Sequence, residues 1–333
     1  GHVLAGTIKD VIPRYKTMRG FRVERRFGWD THGLPVEYEV EQALKLKGRP
    51  EIEKFGVENF NEECRSIVLR YTSEWRETVE RMARWVDFDN DYKTMDRDFM
   101  ESVWWVFKQL WDKGLIYEGL KVVPYSWRIS TPLSNFEANL NYQDVQDPSV
   151  TLRFRVIGEP DSHLLAWTTT PWTLPSNLAL AVGPEIEYDV FEIEDRRVIL
   201  GAGAAAGFDR ELEGARPVGR VRGESLVGRS YRPLFPFFED HEEAFRVLGV
   251  DFIDTEEGTG IVHMGPGLGE GDRAACDAAG IGIVGPVDDA GCFTPEVGPW
   301  SGLQVFDANP KIIRDLRDRG RLFRHETIVH SYP

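Results

Sequence analysis

VTLRFRVI (150–157), HLLAWTTT (163–170), NLALAV (177–182), YDVFEI (188–193) and RRVILG (196–201) follow one another, punctuated by Gly, Pro and Asp. Each run is short, apolar and rich in β-branched or aromatic residues, and turn-forming residues bound it, which is the signature of a strand. GTGIVHM (258–264) has the same character. These runs predict a separate β-rich domain of about 175 residues. Upstream the style is different. Ile67, Val68, Tyr71, Trp75, Val79 and Met82 recur at three- and four-residue spacing, which predicts an amphipathic helix over 57–86. Phe99, Val103, Trp104, Phe107, Leu110 and Trp111 predict another over 96–113, stopped by Gly114. Six of the ten tryptophans precede residue 112, and helix-packing core is the plain reading for most of them. Helical pattern returns at Pro310–Arg321, and HETIVHSYP (325–333) reads as a strand leading elsewhere. A β domain inserted between two parts of another domain fits this order: 1–145, then 146–325, then a return strand at 326–333.

Composition narrows the class. The chain has 333 residues, 41% of them hydrophobic, enough for a sizeable core and two domains. No apolar run is long enough to span a membrane, and the opening GHVLAGTIKD is not a signal peptide. Without an initiator Met, the chain reads as an excised internal piece. Cys64, Cys276 and Cys292 form no CxxC pair, which argues against a thiolate zinc site or a disulfide framework and for reduced cytosol. The net charge of −15 argues against nucleic acid. Residues 1–27, however, carry Lys9, Arg14, Lys16, Arg19, Arg22, Arg25 and Arg26 against Asp10 and Glu24, which leaves −20 for the rest. Such a patch can meet phosphates, although a solvated helix face is the plainer reading.

Four motifs carry chemistry. Gly1-His2 precedes the helix-like LAGTIKDVIPRYKTMRG, and a helix N-terminus favours anions. FGWDTHGLPVE (27–37) sets Asp30 and His32 in one short loop between Gly28 and Gly33. In WTTTPWTLPSN (167–177), three threonines end a β-run before prolines force a turn, so their hydroxyls can line a polar pocket or simply close ST-turns. In EEGTGIVHMGPGLGEGD (256–272), a strand carrying His263 runs into a glycine-rich loop ending at Asp272, and the two side chains can meet across it. A fifth string, RRVILGAGAAAG (196–207) with Glu224 downstream, has the outline of a dinucleotide-binding turn. The following FDRELEG is too short and polar for a crossover helix, so a surface turn is preferred.

Taken together, GH–LAGTIKD–RYKTMRG–GWDTHGLPVE resembles the start of a class I aminoacyl-tRNA synthetase of the isoleucine, valine and leucine group. KFGVENFNEECR (54–65) and PLSNFEA (132–138) look isoleucyl-type. TTTPWTLPSN with GTGIVHMGPGLGEGD is similar to the editing (CP1) domain of isoleucyl-tRNA synthetases, whose valyl and leucyl relatives carry arginine where Thr170 stands. One departure is Gly265, where the family usually has Ala. The resemblance implies an α/β fold: a partial Rossmann-like catalytic domain with an inserted β-rich, β-barrel-like α/β editing domain. It gives Gly1 and His2 the second half of the HxGH signature that holds ATP phosphates, and Asp30 the amino-acid ammonium. The first signature histidine and the KMSKS loop are missing from the chain, so the synthetic site reads as incomplete.

The same resemblance implies why a second site exists. A hydrophobic pocket exploits a missing methylene by only about 1–3 kcal/mol; isoleucine against valine is the standard illustration of that figure, which is taken as given. A pocket too small for isoleucine can hydrolyse the valyl product. The implied catalytic set is Asp272 on the ammonium, Thr168, Thr169 and Thr170 lining the pocket and placing water, and His263 limiting side-chain space, with Asn177 adding a polar contact. No metal is implied, because an ester is already activated. ATP with magnesium belongs to the intact enzyme, and the implied partners are tRNA(Ile), isoleucine and valine. The parent is expected to be a cytoplasmic monomer with no membrane contact. The competing readings are a valyl- or leucyl-type fragment, an autonomous hydrolase and a dinucleotide-binding module.

Overall fold

The computed structural model describes residues 2–159, 161–255 and 257–332. Gly1, expected at ATP phosphates, lies outside the described residues, as do Glu256 at the head of the fourth motif and Pro333 at the end of the return strand. The chain divides into two compact units, Gly1–Gly119 and Leu120–Pro333.

The first unit runs α1 (His2–Met18), β1 (Arg26–Trp29), α2 (Leu34–Leu44), α3 (Gly48–Phe55), α4 (Val57–Arg81), β2 (Asp87–Lys93) and α5 (Arg97–Asp112). β1 and β2 pair in parallel, Arg26 opposite Asp87 and Trp29 opposite Lys93. A parallel pair needs a long crossover, and α2 to α4 supply it, as in a Rossmann-like layer. Pro35 sits in the first turn of α2, where a missing N–H costs nothing. α4 stops at Arg81 rather than 86 because Ala83 takes φ 54°, outside the helical region. Its face buries Phe60, Val68 and Val79.

The tryptophan expectation is overturned. α5 buries no residue, and Trp104, Trp105 and Trp111 are 73%, 64% and 59% exposed. Trp85 is 42% exposed as well; only Trp29 and Trp75 are partly covered. Periodicity marks a face as apolar but says nothing about what lies over it, and here no element of this unit does.

The second unit opens with a hairpin, β3 (Tyr125–Ser126) with β4 (Thr131–Pro132), and with α6 (Asn135–Ala138). α6 starts on a capping box between Ser134 and Glu137. There follow β5 (Gln143–Arg155), β6 (Ser162–Thr168), β7 (Ala179–Val182), β8 (Glu187–Ile193), β9 (Arg196–Gly201), β10 (Arg216–Arg222), β11 (Arg246–Gly249), β12 (Ile261–Met264), α7 (Glu270–Ala278), α8 (Val305–Asp318) and β13 (Leu322–Tyr332). Nine strands form one curled sheet, in the order β10-β8-β9-β6-β12-β7-β11 with β5 on β6 and β13 on β5. β6 is the branch point: it pairs β5 along its length, β9 at its start and β12 at Trp167. β6 and β7 are apolar on both faces and almost wholly buried, as a central strand requires. Leu152, Phe154, Leu164, Leu178, Leu180 and Ile261 form the core with Ile312 and Leu316 of α8. β13 runs antiparallel to β5, with Ile328 opposite Asp147 and Tyr332 opposite Gln143.

Two local expectations change, and the preferred reading of a third string holds. α8 begins at Val305, five residues before Pro310, because the Gln304 side chain accepts from the Phe306 amide at 2.7 Å and caps the helix there. The glycine-rich loop ends at Gly269, not Asp272; Glu270, Gly271 and Asp272 form the first turn of α7. The GxGxxA string leads only to a four-residue 3-10 turn, Ala205–Phe208, and then to β10, antiparallel to β8. Gly201 is small for another reason: its amide donates to the Thr259 carbonyl at 2.8 Å, and a Cβ there would stand 3.2 Å from that oxygen. Among the described residues, no helix is long and apolar enough to cross a membrane.

Candidate active site

The site forms where β6 ends beside β12. Past Thr168 the chain turns through the 3-10 segment Pro171–Ser176, in which residues three apart eclipse. Thr173 therefore comes back over Thr170, and its hydroxyl donates to the Thr170 carbonyl at 2.8 Å. Thr168 and Thr170 share a hydroxyl–hydroxyl bond at 3.1 Å, and Thr170 and Thr173 another at 3.2 Å. Thr173 then meets Nε2 of His263 at 2.7 Å. β12 brings the imidazole there, paired to β7 with His263 opposite Leu180. Three hydroxyls and one imidazole thus form a continuous row. Thr173 was not among the residues singled out from sequence, although its three-residue spacing from Thr170 between two prolines was the available signal.

Strand alternation separates the third expected threonine. Thr169 lines a cavity of about 640 Å³ with Ser149, Thr151, Trp167, Gly258 and His330, while Thr168 and Thr170 bond to each other.

His263 is buried, and its Nδ1 has no hydrogen-bond partner among the described residues. Burial pushes its pKa down to about 4, so the ring is neutral at neutral pH. Asp272, in the first turn of α7, accepts the Gly265 amide at 2.9 Å on Oδ2. Burial raises its carboxyl pKa, opposed by the amides of Gly265 and of Asp272 itself. One turn on, burial and then the Asp272 carboxylate push the Cys276 thiol up to about 12. The anticipated His263–Asp272 pairing is replaced by these separate partners. The Gly265–Asp272 bond nevertheless ties the carboxylate to the end of the strand that carries His263. Close packing needs glycine in the loop between them: a Cβ on Gly267 would lie 2.2 Å from the Val284 carbonyl.

Asn177 is buried and committed to the core. It donates to the Ala179 carbonyl at 2.8 Å and accepts from the Tyr231 hydroxyl at 2.7 Å. Asp30 and His2 belong to the first unit. Asp30 is exposed between β1 and α2, beside Thr31 and His32, which both bond to the Thr94 hydroxyl. His2 is exposed at the start of α1, edge-on to Trp75 at 6.0 Å.

Known proteins resemble the chain at two levels. It is 55% identical over 338 residues to the isoleucine–tRNA ligase of Bdellovibrio bacteriovorus, covering 100% of this chain and 32% of that protein. It is 53% identical over 352 residues to that of Mycobacterium tuberculosis, covering 100% and 34%. The chain thus spans about a third of the length of the curated relatives it matches. Among solved structures, the editing domain of the P. knowlesi cytosolic leucyl-tRNA synthetase covers 56% of this chain and 96% of its own, with a TM-score of 0.41 and 11% identity. The family model described as tRNA synthetases class I (I, L, M and V) matches residues 1–299, and the chain belongs to that family.

Proposed function

We propose that the chain is part of an isoleucine–tRNA ligase and that its second unit hydrolyses Val-tRNA(Ile). The observation that carries this reading is the row Thr168–Thr170–Thr173–His263, with the Asp272 carboxylate tethered at the end of the same strand. Asp272 takes the ammonium of the misplaced valine; a charge-assisted bond there offsets the burial that raises its pKa. Thr168 and Thr170 place the attacking water. Its oxygen bonds to the ester carbonyl carbon, the bond to the terminal ribose oxygen breaks, and a proton passes to that oxygen. Valine and tRNA leave. Neutral His263, braced by Thr173, closes the space a longer side chain would need. Asn177 acts indirectly by fixing Tyr231, and Thr169, which lines the separate cavity, takes no direct part.

For the parent enzyme, the same reading assigns ligation of isoleucine to tRNA(Ile) with ATP and magnesium in the cytoplasm, by a monomer built from residues 1–145 with 146–325 inserted and 326–333 returning. Asp30 then meets the substrate ammonium, and Gly1 and His2 meet the phosphates at the head of α1. Single-turnover deacylation of Val-tRNA(Ile) and Ile-tRNA(Ile) tests the proposal. The valyl ester is expected to be hydrolysed and the isoleucyl ester spared; equal rates on both, or none on either, overturn it.

A further inference from the structure

Four arginines from three segments gather in the second unit. Arg155 ends β5, Arg232 lies between β10 and β11, Arg319 follows α8, and Arg321 precedes β13. Backbone bonds bring the segments together. The Arg232 amide donates to the Arg155 carbonyl at 2.8 Å, and the Arg153 amide to the Arg321 carbonyl at 2.8 Å. Arg155, two residues beyond Arg153, projects to the same side of β5. The half-buried Arg321 guanidinium has its pKa lowered first by burial and then by Arg155, Arg232 and Arg319. Arg319 is paired with Asp315 at 2.8 Å and lies over the Phe235 ring.

Like charges on adjoining segments oppose one another, and a chain of net charge −15 has no general need of them. We propose that Arg155, Arg232, Arg319 and Arg321 form a phosphate-binding site that grips the backbone of an RNA partner. The choice of RNA rests on the functional reading above, which supplies an RNA substrate. The chemistry supports it: guanidinium groups hold phosphate oxygens in pairs, and a cluster drawn from several segments suits successive phosphates better than one carboxylate.

The test uses the whole chain with Arg232→Gln and Arg319→Gln combined, both residues being exposed. Arg216→Gln with Arg220→Gln is the control, since those arginines pair with Glu192, Asp189 and Glu187 on the neighbouring strand. Binding of deacylated tRNA(Ile) is followed by fluorescence anisotropy from about 50 to about 200 mM salt, with circular dichroism to confirm folding. The cluster variant is expected to bind about tenfold more weakly at low salt and to lose roughly 1–2 from the slope of log K against log salt, while the control matches the parent. Inorganic tripolyphosphate should compete with tRNA on the parent more than on the variant. A parental slope in the cluster variant, or no tRNA binding by the parent, overturns the proposal. Loss of poly-glutamate binding with tRNA binding intact assigns the cluster to an acidic protein and overturns it too. If the parent fails to hydrolyse Val-tRNA(Ile) but the salt slopes differ as stated, the phosphate site stands and the hydrolytic reading falls.

Discussion

His263 titrates near 4 because it is buried, while an unfolded chain's histidine titrates near 6.5. Between those values the unfolded chain binds the extra proton, so stability rises with pH across the window and is lost as pH falls from 6.5 toward 4. The slope from this one group is about 1.4 kcal/mol per pH unit. Denaturant melts of the parent and of His263→Ala at several pH values should converge on acidification, and parallel curves would remove the histidine from the balance. His263→Ala should also open the pocket and start hydrolysis of Ile-tRNA(Ile); a variant that loses valyl activity yet still spares isoleucine would make the ring an orienting group instead. Asp272→Ala removes the ammonium's partner from a half-buried place, which costs up to about 3 kcal/mol, or about two decades in rate. Glu270→Ala, two residues earlier in the same turn, should keep the parental rate; the opposite pattern moves the anchor to Glu270. The residue types of this site were legible in sequence. What was not legible was direction: alternation sends Thr169 to another cavity, the core claims Asn177, and Thr173 enters through a turn whose eclipsed geometry no run of threonines announces.

At the scale of elements, the link from β12 to α7 sets the site. The Gly265 amide holds Asp272, and Gly267 packs against the backbone at Val284, where a Cβ would stand 2.2 Å from a carbonyl oxygen. Gly267→Ala must therefore push the loop aside, an overpacking that typically costs 1–3 kcal/mol. The expected outcome is a protein that still folds, with a lower melting midpoint and a deacylation rate reduced at least tenfold; a parental rate and midpoint would show that the loop has room to relax. β5 to β9 and β12 could be read from their apolar runs. β10 could not, because it is an exposed strand, RPVGRVR, with a register shift between Pro217 and Gly219 and no alternation to read. α7 was hidden by the glycine at its second position, although Glu270 and Asp272 suit the positive end of a helix.

The whole molecule is uneven in how it buries its apolar side chains. Among the described residues of the first unit, only Val40, Phe60, Val68 and Val79 are buried hydrophobics; every other member of the buried apolar set lies between Val150 and Leu316. α1 and α5 instead expose Leu4, Ile8, Ile12, Trp104, Trp105 and Trp111. Stability follows buried apolar area, so the two units should not open together. The region 34–81 has a thin helix-on-helix core, whereas β6, β7 and β12 sit at the centre of a nine-stranded sheet. Native-state hydrogen exchange read by mass spectrometry over a denaturant series should show peptides from 34–81 losing protection well below the concentration that releases 162–182 and 261–264. The deacylation rate should persist through the first of these openings, because every residue assigned to hydrolysis belongs to the second unit. If both sets of peptides lose protection at one denaturant concentration, or if hydrolysis falls with the first opening, the units are energetically coupled and the separate cores mislead.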